Sequence, residues 1–140
     1  MNTVEALDQL TREWGYPRQF AWGSSDCAQL TNRACELITG VSKLVDWPTY
    51  STALGAKRAL SRRNFHHLND AFDFYLTRLP DGTIPQAGDI FSVTGNSDGP
   101  WDATCISYGG WRGLTCVSGQ GYIVIDIAPE FRSGAVWGLV

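Results

Sequence analysis

Trp22-Gly23-Ser24-Ser25-Asp26-Cys27 is the stretch of the sequence that determines how the rest of the chain is interpreted. Apolar residues follow it at helical spacing up to Ile38, and Gly40 is a typical stop, so a helix is predicted from about Asp26. One of the two serines is expected to cap that helix, which places Cys27 in its first turn. Backbone N–H groups and the helix dipole stabilise a nucleophilic thiolate there. A small buried cysteine packed between a helix and a sheet is the alternative interpretation.

The sequence on either side of this stretch predicts an α+β fold. Before it, Asn2 caps a helix that ends at Gly15; its predicted apolar stripe is Val4, Leu7, Leu10 and Trp14. After it, two short helices fit residues 51–63 and 67–78. From Gly88 onward, β-type runs alternate with turn residues; they cover 89–93, 103–108, 113–117 and 121–127, with 135–139 as the candidate for a fifth strand. Helices followed by a strand meander predict N-terminal helices packed on one face of a four- or five-stranded antiparallel sheet.

Packing of the second helix on this sheet is predicted from its apolar residues. We expect its inner face to contact the strand face that contains Ile123, Ile125 or their neighbours; the helix residues are Leu30, Ala34 and Ile38.

Length, composition and charge exclude several classes of protein. A chain of 140 residues suits one domain, 1–140. It is 44% hydrophobic and 18% charged, which excludes a disordered chain. Its 14 acidic and 11 basic residues give a net charge of −3, which argues against non-specific nucleic-acid binding. No apolar stretch approaches the roughly 20 residues of a membrane span, and no secretory signal is visible, so no membrane insertion is expected.

The four cysteines are expected to be free thiols; they are Cys27, Cys35, Cys105 and Cys116. No pair has the C-x-x-C spacing of a zinc ribbon or a thioredoxin motif. Without a secretory signal, reduced thiols are the default, and two disulfides are the alternative. A four-cysteine metal site would need ligands from three separate elements. We therefore predict no metal and no cofactor.

Three features of the chain together resemble the NlpC-type cell-wall peptidases, a family with a papain-like fold. They are the aromatic-Gly-x-x-Asp-Cys stretch at a helix start, the Gly88-Asp89-Ile90 turn that opens a strand, and a second strand that ends in two glycines. The resemblance extends from about Phe20 to Val140 and is strongest to short versions encoded beside phage tail-tip genes. It implies that Cys27 is the nucleophile and that Asp26 is the acidic residue preceding it.

The chain departs from this family at the residues that would activate the thiol. The family's general-base histidine opens the next strand in the pattern His-x-Gly-Ile, and the corresponding run here is Ala103-Thr104-Cys105-Ile106. Ala103 therefore occupies the histidine position. The third, orienting residue falls near Thr115 or Cys116, where no histidine stands. A thiol needs an adjacent base to take up its proton and to protonate the leaving group.

Other candidates for the missing base are weak. His66 and His67 lie between the third and fourth helices and are expected to be surface or half-buried residues. Asp102 precedes Ala103, but a carboxylate is a poor base at neutral pH unless burial raises its pKa. If Ala103 faces the second helix, Cys105 faces it too, because side chains alternate along a strand. Small residues that permit close packing explain this pattern, and a redox pair with Cys27 is the alternative.

Two functions follow from the resemblance. The first is a structural component of a phage tail tip or baseplate, with a peptidase fold that has lost its base; its partners are other tail proteins. The second is a cysteine peptidase or amidase that cuts peptidoglycan during phage entry, with Cys27 as nucleophile and a base from a neighbouring chain. The missing histidine favours the first, and the Asp-Cys pair at a helix start favours the second. Both place the protein in the virion after synthesis in the host cytoplasm.

Two surface features bear on partners. Four basic residues fall within seven positions and are either a contact for an acidic surface or nucleic acid, or a solvated helix face; they are Lys57, Arg58, Arg62 and Arg63. Six tryptophans are many for a small acidic domain, and we expect Trp101 or Trp137 to be covered by another protein. Alternatively, the last strand closes the sheet and buries Trp137 within the chain.

Overall fold

The computed structural model describes residues 1–94, 102–117 and 120–139. The described residues form four α-helices: α1 (Thr3–Trp14), α2 (Cys27–Thr39), α3 (Ala53–Ser61) and α4 (Leu68–Tyr75). They also form six strands: β1 (Thr77–Arg78), β2 (Ile90–Val93), β3 (Ala103–Gly109), β4 (Arg112–Val117), β5 (Gly121–Asp126) and β6 (Arg132–Gly138). A short 3₁₀ turn at Pro129–Phe131 leads into β6. The predicted α+β class is confirmed.

The six strands form one antiparallel sheet in the order β1-β6-β2-β3-β4-β5. Strands β2 to β5 are the predicted meander, and β6 returns to pair with the outer edge of β2. The predicted number of strands was too low by one. Helix α4 ends at Tyr75, so Thr77 and Arg78 pair with Gly138 and Trp137 instead of extending the helix. The two-residue strand is invisible in the sequence because only its partner specifies it.

Helix ends agree with the local signals in the sequence. The side chain of Asn2 accepts a hydrogen bond from the backbone N–H of Glu5 (2.9 Å), as expected of an N-cap. Gly40 ends α2 in the left-handed conformation, with φ of 83°. Val4 was predicted in the apolar stripe of α1 but is exposed, and Ala6 is buried instead. The helix therefore presents a slightly rotated face to the core.

One face of the sheet packs against the helices. Its central layer consists of fully buried, cross-strand neighbours: Ile90, Ile106, Leu114 and Trp137. Tyr108 of β3 donates a hydrogen bond to the carbonyl of Leu7 in α1 (3.1 Å). Helix α2 crosses the same strand, β3. Because residues of one strand alternate between faces, Thr104 shares this helix-facing side with Ile106 and Tyr108.

The helix-facing side of β5 includes Tyr122. Tyr122 is fully buried, and its hydroxyl donates to the carbonyl of Ser25, in the loop just before α2 (2.6 Å). Its ring meets Trp14 of α1 edge-on, with centroids 5.2 Å apart. Ile123 and Ile125 are half-buried on alternate positions of the strand. The prediction named Ile123, Ile125 or their neighbours, and the neighbour Tyr122 is the residue of β5 that approaches the loop before α2, whereas Ile123 and Ile125 lie on the alternate positions.

Trp137 is buried within the chain and is not exposed on a surface that a partner could cover. It is fully buried in β6, and its ring packs edge-on against Phe72 of α4, with centroids 5.3 Å apart. Its indole N–H donates to Asp73 (2.8 Å). Burial of Trp137 by the last strand agrees with the alternative interpretation, so the prediction that another protein covers Trp101 or Trp137 now depends on Trp101. Trp101 lies outside the described residues.

None of the helices in the described part of the chain is long and apolar enough to cross a membrane.

Candidate functional site

Asp26, not a serine, caps the helix that carries Cys27. Its Oδ1 accepts a hydrogen bond from the backbone N–H of Gln29 (3.0 Å), and its Oδ2 accepts one from Gly23 (2.9 Å). The hydroxyl of Tyr50 donates a further hydrogen bond to this carboxylate. Asp26 is buried, and these three donors offset the cost of removing its charge from water. The carboxylate therefore joins the loop, the helix start and the segment before α3.

Gly23 allows the loop before Cys27 to pass close to Tyr50. Its φ of +84° lies in the left-handed region, and a Cβ at this position would come within 1.9 Å of the Tyr50 carbonyl oxygen. No other residue type fits without displacing backbone. The aromatic-Gly-x-x-Asp-Cys pattern is thus explained by structure: the glycine permits the approach, and the aspartate fixes the first turn of α2.

The thiol of Cys27 points into the protein against β3. Only 6% of the residue is exposed, and burial raises the pKa of the thiol to about 12. The nearby charges of Asp26 and Cys116 act in the same direction. Hydrogen bonds from the backbone N–H and the hydroxyl of Thr104 oppose this rise in pKa without cancelling it. Burial therefore outweighs the stabilisation that a helix N-terminus gives a thiolate, and the thiol is protonated at neutral pH.

Thr104, rather than Ala103, is the residue of β3 that lies against Cys27. Ala103 and Cys105 belong to the alternate positions of the strand, which point to the other face of the sheet. There the Cys105 thiol contacts the carbonyl of Ile106 (3.8 Å). The condition that Ala103 faces α2, under which Cys105 would face it too, is therefore not met. A threonine hydroxyl donates a hydrogen bond to the thiol but is no base at neutral pH.

A narrow cleft with room for about one water molecule opens beside Cys27. Its lining is Phe20, Trp22, Asp26, Cys27, Ala28, Leu68 and Asp102. The rings of Phe20 and Trp22 meet edge-on with centroids 4.8 Å apart, and Trp22 approaches Tyr50 at 6.5 Å. The cleft is therefore walled by aromatic rings on one side and reaches a carboxylate, Asp102, on another.

His67 lies next to this cleft, although it is outside the strand that was expected to supply the base. Its Nε2 is 3.8 Å from Oδ2 of Asp102, and the following residue, Leu68, lines the cleft. Its Nδ1 accepts a hydrogen bond from the backbone N–H of Asn69 (2.9 Å), so His67 is the N-cap of α4. This hydrogen bond assigns the ring proton of the neutral imidazole to Nε2, on the side of Asp102. His66 is exposed.

The Nδ1 atom of His67 is therefore not free to act as a base. A base must offer a free lone pair, and the lone pair of Nδ1 already receives the Asn69 N–H. Within the described residues, its contacts are to Asn69 and Asp102 and not to the sulfur of Cys27. The site brings a thiol, a carboxylate and an imidazole to one cleft without a hydrogen-bonded relay between the thiol and a base.

Comparison with known families gives a match over most of the chain. Residues 4–133 match the family described as "Domain of unknown function (DUF6950)". The chain belongs to this family. No curated protein is significantly similar to it.

In this DUF6950 chain all four cysteines are thiols. Burial raises the pKa of Cys35 to about 12 and raises that of Cys105 as well. Cys27, Cys35 and Cys105 are buried, and Cys116 is half-buried. Among the described residues, no group of three or more His, Cys, Asp or Glu side chains is arranged to hold a metal ion.

The four clustered basic residues of the DUF6950 chain divide into two groups. Arg63 turns back to the protein and donates to the carbonyl of Asp46 (2.6 Å). The other three line an open depression on the exposed side of α3; they are Lys57, Arg58 and Arg62. The predicted cluster is therefore a surface of three residues, and the fourth stabilises the loop before α3.

Proposed function

We propose that this DUF6950 chain is a structural component of a phage tail tip or baseplate, built on an NlpC-type, papain-like fold whose catalytic base is lost. The observation that carries the proposal is the state of Cys27. Its thiol stands at the helix start where the resemblance expects a nucleophile, yet it is buried and faces Thr104, which cannot accept its proton. Loss of the base leaves a stable domain that serves through its surface.

The architecture is consistent with a papain-like ancestry. The cysteine opens a helix that packs on β3, which is the antiparallel neighbour of β2, the strand that follows the Gly88-Asp89 turn. Asp89 closes that turn by accepting a hydrogen bond from the N–H of Gln86 (2.8 Å), and Gly88 adopts a φ of +96°. These features support the fold assignment, and the phage setting rests on the resemblance.

An active cysteine peptidase or amidase acting on peptidoglycan is the second candidate. The observation that favours it is the approach of His67 and Asp102 to the Cys27 cleft. Catalysis by this set requires that His67 give up the cap of α4 so that Nδ1 becomes a free acceptor. It also requires that the thiol become accessible, because the thiolate is the attacking species.

The structural role is tested in a phage or prophage that encodes the chain. We expect the chain to copurify with tails by mass spectrometry of purified particles. Deleting the gene is expected to abolish infectious particles, whereas Cys27→Ala leaves the titre unchanged, because the thiol performs no chemistry. The matched control is Arg112→Ala, which removes an exposed ion pair with Asp126.

Two results would contradict this proposal. Absence of the chain from purified tails rejects the structural role outright. A titre that falls with Cys27→Ala while the particles retain the chain and their normal shape supports the enzymatic candidate instead.

A further inference from the structure

We propose that the exposed face of α3 is a docking surface for an acidic protein segment that carries an apolar side chain. The surface, here called the α3 face, is lined by Leu54, Lys57, Arg58, Ser61 and Arg62. The charge and exposure of this helix support such a surface whether or not the phage assignment is correct and whatever the role of Cys27.

Helical spacing explains how the α3 face arises. Residues three and four positions apart lie on one side of a helix, and all five lining positions are related in this way. The opposite side of α3 is buried through Ala56, Ala59 and Leu60, which fixes the helix against the protein. The α3 face is therefore held in a constant orientation toward solvent.

The cations of the α3 face are uncompensated. Within the described part of the chain, Lys57, Arg58 and Arg62 have no carboxylate within ion-pair distance, unlike Arg33, Arg78 and Arg112. The whole chain carries a net charge of −3, so the α3 face, with three unpaired cations, is a local positive region on an acidic protein. Such a local excess attracts an acidic surface at short range, within a Debye length of about 10 Å at 0.1 M salt.

Leu54 decides which kind of acidic partner fits. It is a large apolar side chain, 56% exposed, within a ring of polar and charged residues. Phosphate groups of a nucleic acid gain nothing from covering a leucine, and the acidic chain as a whole repels a polyanion. A protein segment with Asp or Glu beside an apolar residue satisfies the cations and removes Leu54 from water, the usual arrangement of an interface centre and its polar rim.

The experiment uses the full chain and a synthetic helical peptide with Glu and Leu along one face. We expect fluorescence anisotropy to show binding that weakens as salt is added. The double variant Arg58→Glu/Arg62→Glu is expected to weaken binding by about tenfold or more, because it replaces attraction to the acidic peptide by repulsion. A tenfold loss corresponds to about 1.4 kcal/mol. Leu54→Ser is expected to weaken it with the salt dependence retained. Arg12→Glu, at an exposed cation of α1, is the matched control and is expected to bind as the native chain does.

Several outcomes would overturn the proposal. These are equal binding of a peptide in which Gln replaces Glu, equal loss with Arg12→Glu, and no effect of Leu54→Ser. Tighter binding of a single-stranded oligonucleotide of similar length assigns the α3 face to nucleic acid instead. Self-association in sedimentation that Arg58→Glu/Arg62→Glu abolishes assigns it to a second copy of the chain. Circular dichroism of each variant distinguishes lost binding from lost folding.

Discussion

Cys27 in the folded protein should react with iodoacetamide about a thousand times more slowly than free cysteine at a pH near 8.5, where half of free cysteine is thiolate. The thiol pKa of about 12 leaves only a trace of the reactive thiolate at that pH. Because burial raises the pKa, the rate is expected to keep rising with pH well beyond the point where the rate of free cysteine levels off. Peptide mapping by mass spectrometry follows Cys27 separately from the other three cysteines.

Two controls define this measurement. The unfolded chain in denaturant should react at Cys27 as free cysteine does. Thr104→His places an imidazole on the strand position that faces the thiol and is expected to speed alkylation near neutral pH, whereas Ala103→His points to the other face and leaves it slow. Circular dichroism verifies that both variants fold. Rapid labelling of the native chain at neutral pH would contradict a protonated, buried thiol.

Trp137→Ala is expected to lower the free energy of unfolding by about 3–5 kcal/mol. The indole is fully buried between the sheet and α4, and its removal leaves a large cavity beside Phe72. The change also removes the hydrogen bond to Asp73. Urea denaturation followed by far-ultraviolet circular dichroism measures the loss.

Two smaller changes serve as controls for Trp137→Ala. Asp73→Ala leaves the indole N–H without its partner and is expected to cost about 1–3 kcal/mol. Arg112→Ala, at an exposed ion pair, is expected to change stability by no more than about 0.5 kcal/mol. A Trp137→Ala protein of native stability that has lost association with another protein would show that Trp137 serves an interface after all.

Helix limits follow from short-range signals, and for that reason the sequence predicts them well. Asn2 and Gly40 act within one turn of the helices that they bound, so neighbouring residues suffice to identify them. The sequence predicts that α2 begins at about Asp26, and the structure shows that Asp26 is its cap. Three polar residues in a row before Cys27 are all acceptable caps, and only the hydrogen bond to Gln29 selects among them.

Strand faces follow from long-range contacts, which the sequence does not contain. In β5, Tyr122 and Ile123 are both compatible with burial, and the hydrogen bond of Tyr122 to Ser25 selects the tyrosine. In β3, the choice between Ala103 and Thr104 depends in the same way on where α2 crosses. A shift of one residue exchanges the two faces of a strand, so a small error in register moved the predicted base position away from Cys27.

The position of Cys27 at a helix start was predicted from the sequence, but the state of its thiol was not. Cys27 at a helix start is a local feature, and local reasoning expected a stabilised thiolate. The depth of its burial against β3 is a property of the whole fold, and burial reverses the direction of the pKa shift. His67 and Asp102 are far apart in the sequence but close in the fold, and no spacing in the sequence predicts this contact.

We propose that this fold has no cysteine-dependent hydrolase activity, and the release of new amino groups and soluble fragments from purified peptidoglycan tests this most directly. Native protein and Cys27→Ala are incubated with the same substrate over a range of pH, with a known peptidoglycan hydrolase as positive control. Release is expected to stay at the background level and to be identical for the two proteins. Fragments that accumulate with the native protein and disappear with Cys27→Ala would contradict it and establish Cys27 as a working nucleophile.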